Sequence, residues 1–273
     1  MYEDHISAAV LQAVPARELR KLENGGGSRG RQQKPLTERV RSSTTIATML
    51  FKDGVLCTAD RKTSGWGYSI LSQRSIKITK ISSHSALLGS GSVADIQLAY
   101  QSLQNANSEF EEDNNGEKLS TAGQAHYLAK LLRLWTQFYG AGLSVGVLLA
   151  GFDSTAGPSM FSIDDDGCCM KRSDFATAGS GGERIEDQFD ARWEPGLSFE
   201  AALDVAMHGM IHSGMRDSGS SPPIIALPTV VTVTAHGVQM ISDRTIEQAL
   251  GRALITKRGV RKSFARALIG GKE

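Results

Sequence analysis

The sequence predicts an α+β protein whose antiparallel sheets are covered by helices. Three observations predict it. Strand-like segments fall in two clusters on either side of a helical middle, and glycine turn signals join neighbouring strands without an intervening helix. In addition, 40% of the 273 residues are apolar, enough for one sizeable core. The regular strand–helix alternation of a parallel fold is missing.

The first 43 residues stand apart, with eight basic residues against five acidic ones, while the remaining 230 are slightly acidic. Residues 6–23 could form a short helix weakened by Pro15. Asn24-Gly25-Gly26-Gly27-Ser28 then breaks regular structure, and Arg-Gly-Arg-Gln-Gln-Lys-Pro reads as solvated linker. From Thr44 the pattern turns to strand. Thr44-Thr45-Ile46-Ala47-Thr48-Met49-Leu50-Phe51 is rich in β-formers, Lys52-Asp53-Gly54 is a hairpin signal, and residues 55–60 return. An Asp53-Gly54 turn sets Ala47 opposite Asp60, which brings Asp60 back toward Thr44.

Strands are expected at 76–81 and 85–89, followed by a helix over 93–111 with Val93, Ile96, Tyr100 and Leu103 at helical spacing. Acidic residues 109–115 read as a surface loop. A second helix over 120–138 carries Leu128, Leu131, Leu132 and Trp135 along one face. Strands follow at 143–150, 159–163 and 168–171, the last entered through Asp165-Asp166-Gly167. Helices are expected at 182–193 and 198–213, then a hairpin of 230–234 and 238–241 around Ala235-His236-Gly237, and a basic helical tail.

Lysine and arginine total 30 against 29 acidic residues, so no global field favours nucleic acid or an anionic membrane. No apolar run approaches the roughly 18 residues of a membrane span. Cys57, Cys168 and Cys169 cannot make a disulfide framework, and Glu3 and Asp4 have the wrong polarity for a secretory signal. The expected location is therefore cytoplasmic.

Several motifs carry little chemistry. Gly142-Leu143-Ser144-Val145-Gly146 matches a nucleophile elbow, but a helix precedes it and a strand follows, the reverse of what an elbow needs. His208 and His212 share a helix face without the glutamate or third ligand of a metal site. Gly89-Ser90-Gly91-Ser92 leads into a helix without a P-loop lysine, and reads as a tight strand-to-helix turn. One constellation is more pointed. A threonine at a strand start becomes a nucleophile if the peptide bond before it is cut, because the freed α-amine (pKa about 7.7–8) can act as base for the hydroxyl. Such a site needs a nearby cation, an acid to orient it and backbone donors for the oxyanion. Asp60, Lys77 and Gly91 are the candidates beside Thr44; a Thr-Thr pair at a strand start also has the simpler explanation of β-propensity.

These residues resemble a proteasome β subunit, of the N-terminal-nucleophile (Ntn) hydrolase superfamily. The resemblance runs from Thr44 to about the 238–241 strand. Thr44-Thr45-Ile46, Lys52-Asp53-Gly54 and Ala59-Asp60-Arg61 resemble the family's opening hairpin, whose first threonine is the nucleophile. Ile76-Lys77-Ile78 resembles the segment with the catalytic lysine, and Leu87 to Asp95 the turn that supplies the oxyanion amide, at Gly91. Ala178-Gly179-Ser180-Gly181-Gly182 and Arg216-Asp217-Ser218-Gly219-Ser220 resemble the two later segments, so that Ser180, Asp217 and Ser220 surround the threonine amine.

The resemblance implies a four-layer αββα sandwich, a leader of residues 1–43 removed autocatalytically between Ser43 and Thr44, and a catalytic domain over 44–273. It implies seven-membered β rings stacked on α-subunit rings, polypeptide substrates, and an ATPase regulator acting through the α ring. Peptide hydrolysis itself would need neither metal nor ATP. Gly89 and Val93, with Ser75 and Thr79, would border a small apolar substrate pocket. Three departures stand out: Ser43 where active members have glycine, one extra residue between Asp60 and Lys77 near Gly65-Trp66-Gly67, and Ser221-Pro222 where a glycine pair is usual. A non-catalytic ring member that keeps its leader, or another Ntn hydrolase such as the two-ring bacterial protease or an acylase, are the alternatives.

Overall fold

The computed structural model describes residues 44–64, 70–139 and 145–256. The expected leader, the Gly65-Trp66-Gly67 insertion, Gly142 to Ser144 and the last 17 residues lie outside the described residues.

Two five-stranded antiparallel sheets form the centre. The first has the order β10-β1-β2-β11-β12, from Phe175–Ala178 (β10), Ile46–Phe51 (β1), Gly54–Ala59 (β2), Thr229–Thr234 (β11) and Gly237–Met240 (β12). The second follows chain order, from Ile78–Ser82 (β5) and Ser85–Gly91 (β6) to Val145–Asp153 (β7), Gly157–Ile163 (β8) and Cys169–Arg172 (β9). Thr63–Ser64 (β3) and Ile70–Ser72 (β4) make a small separate pair. Helices Val93–Asp113 (α1) and Thr121–Tyr139 (α2) cover the second sheet. Gly182–Asp190 (α3), Phe199–Arg216 (α4) and Asp243–Thr256 (α5) cover the first.

Period-two alternation explains the layers. Along β1 and β2, Ala47, Met49, Phe51 and Leu56 face the helices, whereas Ile46, Val55, Cys57 and Ala59 face the other sheet. The second sheet answers with Ala86, Leu88, Leu148, Ala150 and Met160 in the same inter-sheet layer. Its outer face sends Leu87, Val147 and Leu149 against Leu128, Leu131, Leu132 and Trp135 of α2. The result is the four-layer αββα sandwich that the resemblance implied. Burial of Cys57 between the sheets pushes its thiol pKa up, and all three cysteines are free.

Five expectations are corrected. The opening hairpin turns at Lys52-Asp53, so Phe51 pairs with Gly54 and Ala47 with Thr58 rather than Asp60. The slip is two residues, which leaves every side chain on its expected face. The acidic segment is helical to Asp113, and α1 ends where Asn114 caps the Phe110 carbonyl through its N–H at 3.0 Å and Nδ2 at 2.8 Å. Val93 does not join the buried stripe, being 49% exposed. The glycine segment is strand through Gly91, with Ser92 as the α1 N-cap. The expected tail is in part a core helix, with Ile246, Ala249, Leu250 and Ala253 buried against α4 and the first sheet. No helix among the described residues is long and apolar enough to cross a membrane.

Candidate active site

The hairpin places Asp60. Gly54 lies so close to β11 that a Cβ would sit 2.2 Å from the Val233 carbonyl oxygen, so glycine lets β2 pair on both sides. The β1–β2 register, carried one step past Ile46 and Ala59, sets Thr45 opposite Asp60. The Asp60 N–H donates to the Thr45 carbonyl at 3.0 Å, and the Thr45 N–H donates back to Asp60 Oδ1 at 2.8 Å. The corrected register thus draws Asp60 nearer Thr44 than the sequence alone suggests.

Lys77, one residue before β5, donates from Nζ to the same Oδ1 at 2.6 Å. Both partners are buried, with Lys77 7% and Asp60 1% exposed. The other Asp60 oxygen accepts the backbone N–H groups of Lys62 at 2.9 Å and Ser221 at 3.2 Å. Burying a carboxylate is costly unless it is paired and hydrogen-bonded, and four donors meet that requirement. Burial pushes the Lys77 pKa below the ordinary lysine value; Asp60 is the chief influence opposing it, followed by Asp217, while Lys62 adds to the depression. The Lys77 backbone is fixed as well, its carbonyl accepting from the Gly89 N–H and the Tyr100 hydroxyl, each at 3.2 Å. Burial raises that hydroxyl to about 12.

A second carboxylate approaches from the far side. Asp217, the C-cap of α4, accepts through Oδ2 from Ser180 Oγ at 2.8 Å and Ser220 Oγ at 2.6 Å, and through Oδ1 from the Gly219 N–H at 3.2 Å. Ser180 in turn accepts from the Thr44 N–H at 3.2 Å, and the Gly181 N–H donates to the Thr44 carbonyl at 3.3 Å. Gly179 has φ +90, and a Cβ there would lie 2.1 Å from that carbonyl oxygen, so this turn can close only on glycine. Thr44 itself is buried, 1% exposed.

Thr44, Asp60, Lys77, Ser180, Asp217 and Ser220 are therefore gathered around the start of β1 by one set of hydrogen bonds. Gly91 is the last residue of β6, buried and at φ +113, a conformation that a side chain would strain. The pocket candidates are more scattered in role. A Cβ on Gly89 would strike Ile96 Cγ2 at 2.4 Å, so that position faces α1. Val93 is exposed on the first turn of α1, and Ser75 Oγ accepts from Thr63 Oγ1 at 2.6 Å. Thr79 is half-buried and hydrogen-bonded to Tyr100. Ser43 lies outside the described residues. His212 bonds through Nδ1 with the Arg184 carbonyl at 2.9 Å, a helix-to-helix contact. Four participants escaped sequence reasoning: the Lys62 and Ser221 amides, Gly181, and the Ser213 hydroxyl beneath Thr45. None has a local signal. The Ser221-Pro222 departure is accommodated by Gly214, where a Cβ would sit 2.6 Å from Pro222 Cα.

Comparison with known proteins shows which family the chain is similar to. A family model described as Proteasome subunit matches residues 40–226. The chain is 30% identical to proteasome subunit beta type-5-A of Arabidopsis thaliana over 210 residues, 77% of this chain and 73% of that one. It is 29% identical to proteasome subunit beta 1 of Thermococcus kodakarensis over 216 residues, 79% of this chain and all of the relative. With the proteasome subunit beta of Methanocaldococcus vulcanius it shares 26% identity over 208 residues, 76% of this chain and 89% of that one.

Proposed function

The chain belongs to the proteasome subunit family as a β-type member, and we propose that it is a threonine endopeptidase of a proteasome core particle with Thr44 as nucleophile. One observation carries the reading: Lys77 Nζ and the N–H of Thr45, the chain neighbour of Thr44, converge on a single oxygen of buried Asp60. A structural strand start needs β-formers, not a buried lysine held by a carboxylate.

Removal of residues 1–43 converts the Thr44 N–H into an α-amine at the position where it already donates to Ser180. In that first event Thr44 Oγ attacks the Ser43 carbonyl, the acyl group moves from nitrogen to oxygen, and water releases the leader. In hydrolysis Thr44 Oγ attacks the substrate carbonyl while the amine accepts its proton, directly or through a water. The Gly91 N–H donates to the oxyanion, worth about 3 kcal/mol for such a donor. The C–N bond then breaks, the leaving amine takes the proton, and water cleaves the ester. Lys77, anchored by Asp60, disfavours protonation of the amine by like-charge repulsion. Ser180 and Asp217 hold the amine, with Ser220 completing the set.

The subunit acts within β rings, read as seven-membered, stacked on α-subunit rings that admit polypeptides and receive an ATPase regulator; the cytoplasm is its setting. Gly89, Val93, Ser75 and Thr79 border the substrate pocket and favour cleavage after apolar residues. Ser43 before Thr44, in place of glycine, is the observation favouring the rival reading of a ring member that keeps its leader. Co-expression with the α partner, followed by intact-mass and peptidase measurements, decides between them. Wild type should lose residues 1–43 and cleave an apolar peptide, whereas Thr44→Ala should retain the leader and show no turnover. Peptidase activity in Thr44→Ala, or a full-length inactive wild type in rings, overturns the assignment.

A further inference from the structure

We propose that Thr45 and Ser213 are positioning residues for hydrolysis, acting on the Thr44 amine through Ser220 and Asp217. The inference rests on the reading of Thr44 as nucleophile and extends it to two residues that never meet substrate. Its basis is proton counting. Each hydroxyl has one hydrogen to give. Ser220 gives its hydrogen to Asp217 Oδ2 at 2.6 Å. The Thr45 Oγ1 bond to Ser220 Oγ must therefore use the hydrogen of Thr45. That leaves Thr45 only lone pairs toward Ser213, so Ser213 donates across the 2.6 Å contact, with Ser220 Oγ a longer second acceptor at 3.3 Å. The order is fixed: Ser213 to Thr45 to Ser220 to Asp217. On the opposite side Ser180 also spends its hydrogen on Asp217 Oδ2, and for that reason accepts from the Thr44 nitrogen. All four hydroxyls are thus aligned by one carboxylate, and charge-assisted bonds strengthen the chain behind them.

Thr45 is also the crossing point of the site. Its N–H is held by Asp60 Oδ1 and its hydroxyl by the Ser213–Ser220 chain, so the residue covalently next to the nucleophile is tied to both carboxylates. Thr45, Ser213 and Ser220 are at most 2% exposed, and none offers a surface to a peptide. Space for the chain is cleared by Gly181, where a Cβ would sit 2.0 Å from Thr45 Oγ1 and 2.1 Å from Ser213 Oγ. Loss of the Thr45 hydroxyl strips Ser220 of its nearer donor, loosens Asp217, and frees Thr44 to rotate so that its amine and its hydroxyl lose their alignment. Misalignment of a base lowers kcat, while the groove that binds substrate is unchanged.

The test uses the full chain co-expressed with its α partner and an apolar fluorogenic peptide. Thr45→Val keeps shape and the N–H, and should lower kcat about tenfold with KM changed by no more than about twofold. Thr45→Ser, which restores the hydroxyl, should return kcat to within about twofold of wild type, and Ser213→Ala should lower it about threefold. Wild-type kcat in Thr45→Val, or equal losses in Thr45→Val and Thr45→Ser, overturns the proposal, the second result showing that the position responds to any change of side chain and that restoring the hydroxyl restores nothing. If Thr45→Val fails to assemble, Ser213→Ala decides: reduced kcat at unchanged KM supports the chain, and wild-type kcat overturns it. Inactive wild type removes the nucleophile reading and this inference together, whereas active wild type with indifferent variants removes this inference alone.

Discussion

Asp60 and Asp217 grip the Thr44-Thr45 pair from opposite sides and are built differently. Asp60 is enclosed, faces a lysine and takes three backbone N–H groups besides, from Thr45, Lys62 and Ser221. Asp217 is half-buried at the end of α4 and is met by two hydroxyls and one backbone amide, with no cation in an ion pair with it among the described residues. The first is a charge pair whose members cannot be separated cheaply, because each is the other's compensation in a dry site. The second is a polar hub whose donors can turn to water or to each other. Rigidity and adjustability thus meet at one residue pair, the first on the lysine side and the second on the amine side.

The sharpest way to break the comparison is Asp60→Asn, which strands the Lys77 ammonium in a buried site. Loss of about 3–5 kcal/mol is expected, the cost of removing one partner of a buried pair, together with loss of peptidase activity. The pH dependence has a definite sign. Burial already holds Lys77 below the ordinary lysine value, and without Asp60 its pKa falls further. The unfolded chain then binds more protons than the folded one between the two lysine pKa values, so stability rises with pH across that interval. Urea unfolding from neutral to alkaline pH should show the deficit shrinking as pH climbs. A flat or growing deficit would mean that Lys77 does not carry the penalty.

The same contrast governs how much could be read from sequence. The Asp60 arm is nearly local: a hairpin brings Asp60 back to Thr45, and Lys77 stands just before β5, so both were candidates before any family likeness was considered. Even a two-residue error in register left the faces right. The Asp217 arm gathers Ser180, Ser213 and Ser220 from three segments, and only the glycine-rich resemblance pointed to two of them. Ser213 looks like one polar residue on the apolar helix α4, between buried Met210 and Ile211 and the C-terminal Arg216. Nothing local reveals that its hydroxyl meets Thr45. β10 was missed because Phe175–Ala178 is four residues long and gains its strand character by pairing with β1. Charge hid the end of α1, where Glu109 to Asp113 remain helical on its exposed side.

A smaller effect is expected from Asp217→Asn. The half-buried amide can still accept from Ser180 and Ser220, so a stability loss of about 1 kcal/mol is expected by urea unfolding. Turnover should suffer far more than stability, because the side chain is needed to align donors around the amine. Equal stability losses in Asp60→Asn and Asp217→Asn would erase the distinction between the two arms.

The smallest effect belongs to the residue that touches both. Lys62 donates its backbone N–H to Asp60 and its Nζ to the Ser218 carbonyl at 2.5 Å, on the loop that carries Asp217 to Ser220. Lys62→Met keeps the N–H and most of the apolar stem, and removes one anchor of that loop and one positive charge that depresses Lys77. Stability should change by no more than about 0.5 kcal/mol, as for other partly solvated charge contacts, and kcat should fall about twofold. That outcome keeps the rigid and adjustable arms energetically separate, joined through Thr45 and only lightly through Lys62. A loss approaching that of Asp60→Asn would instead make the two carboxylates one cooperative unit, because a single exposed contact could then disturb the buried pair.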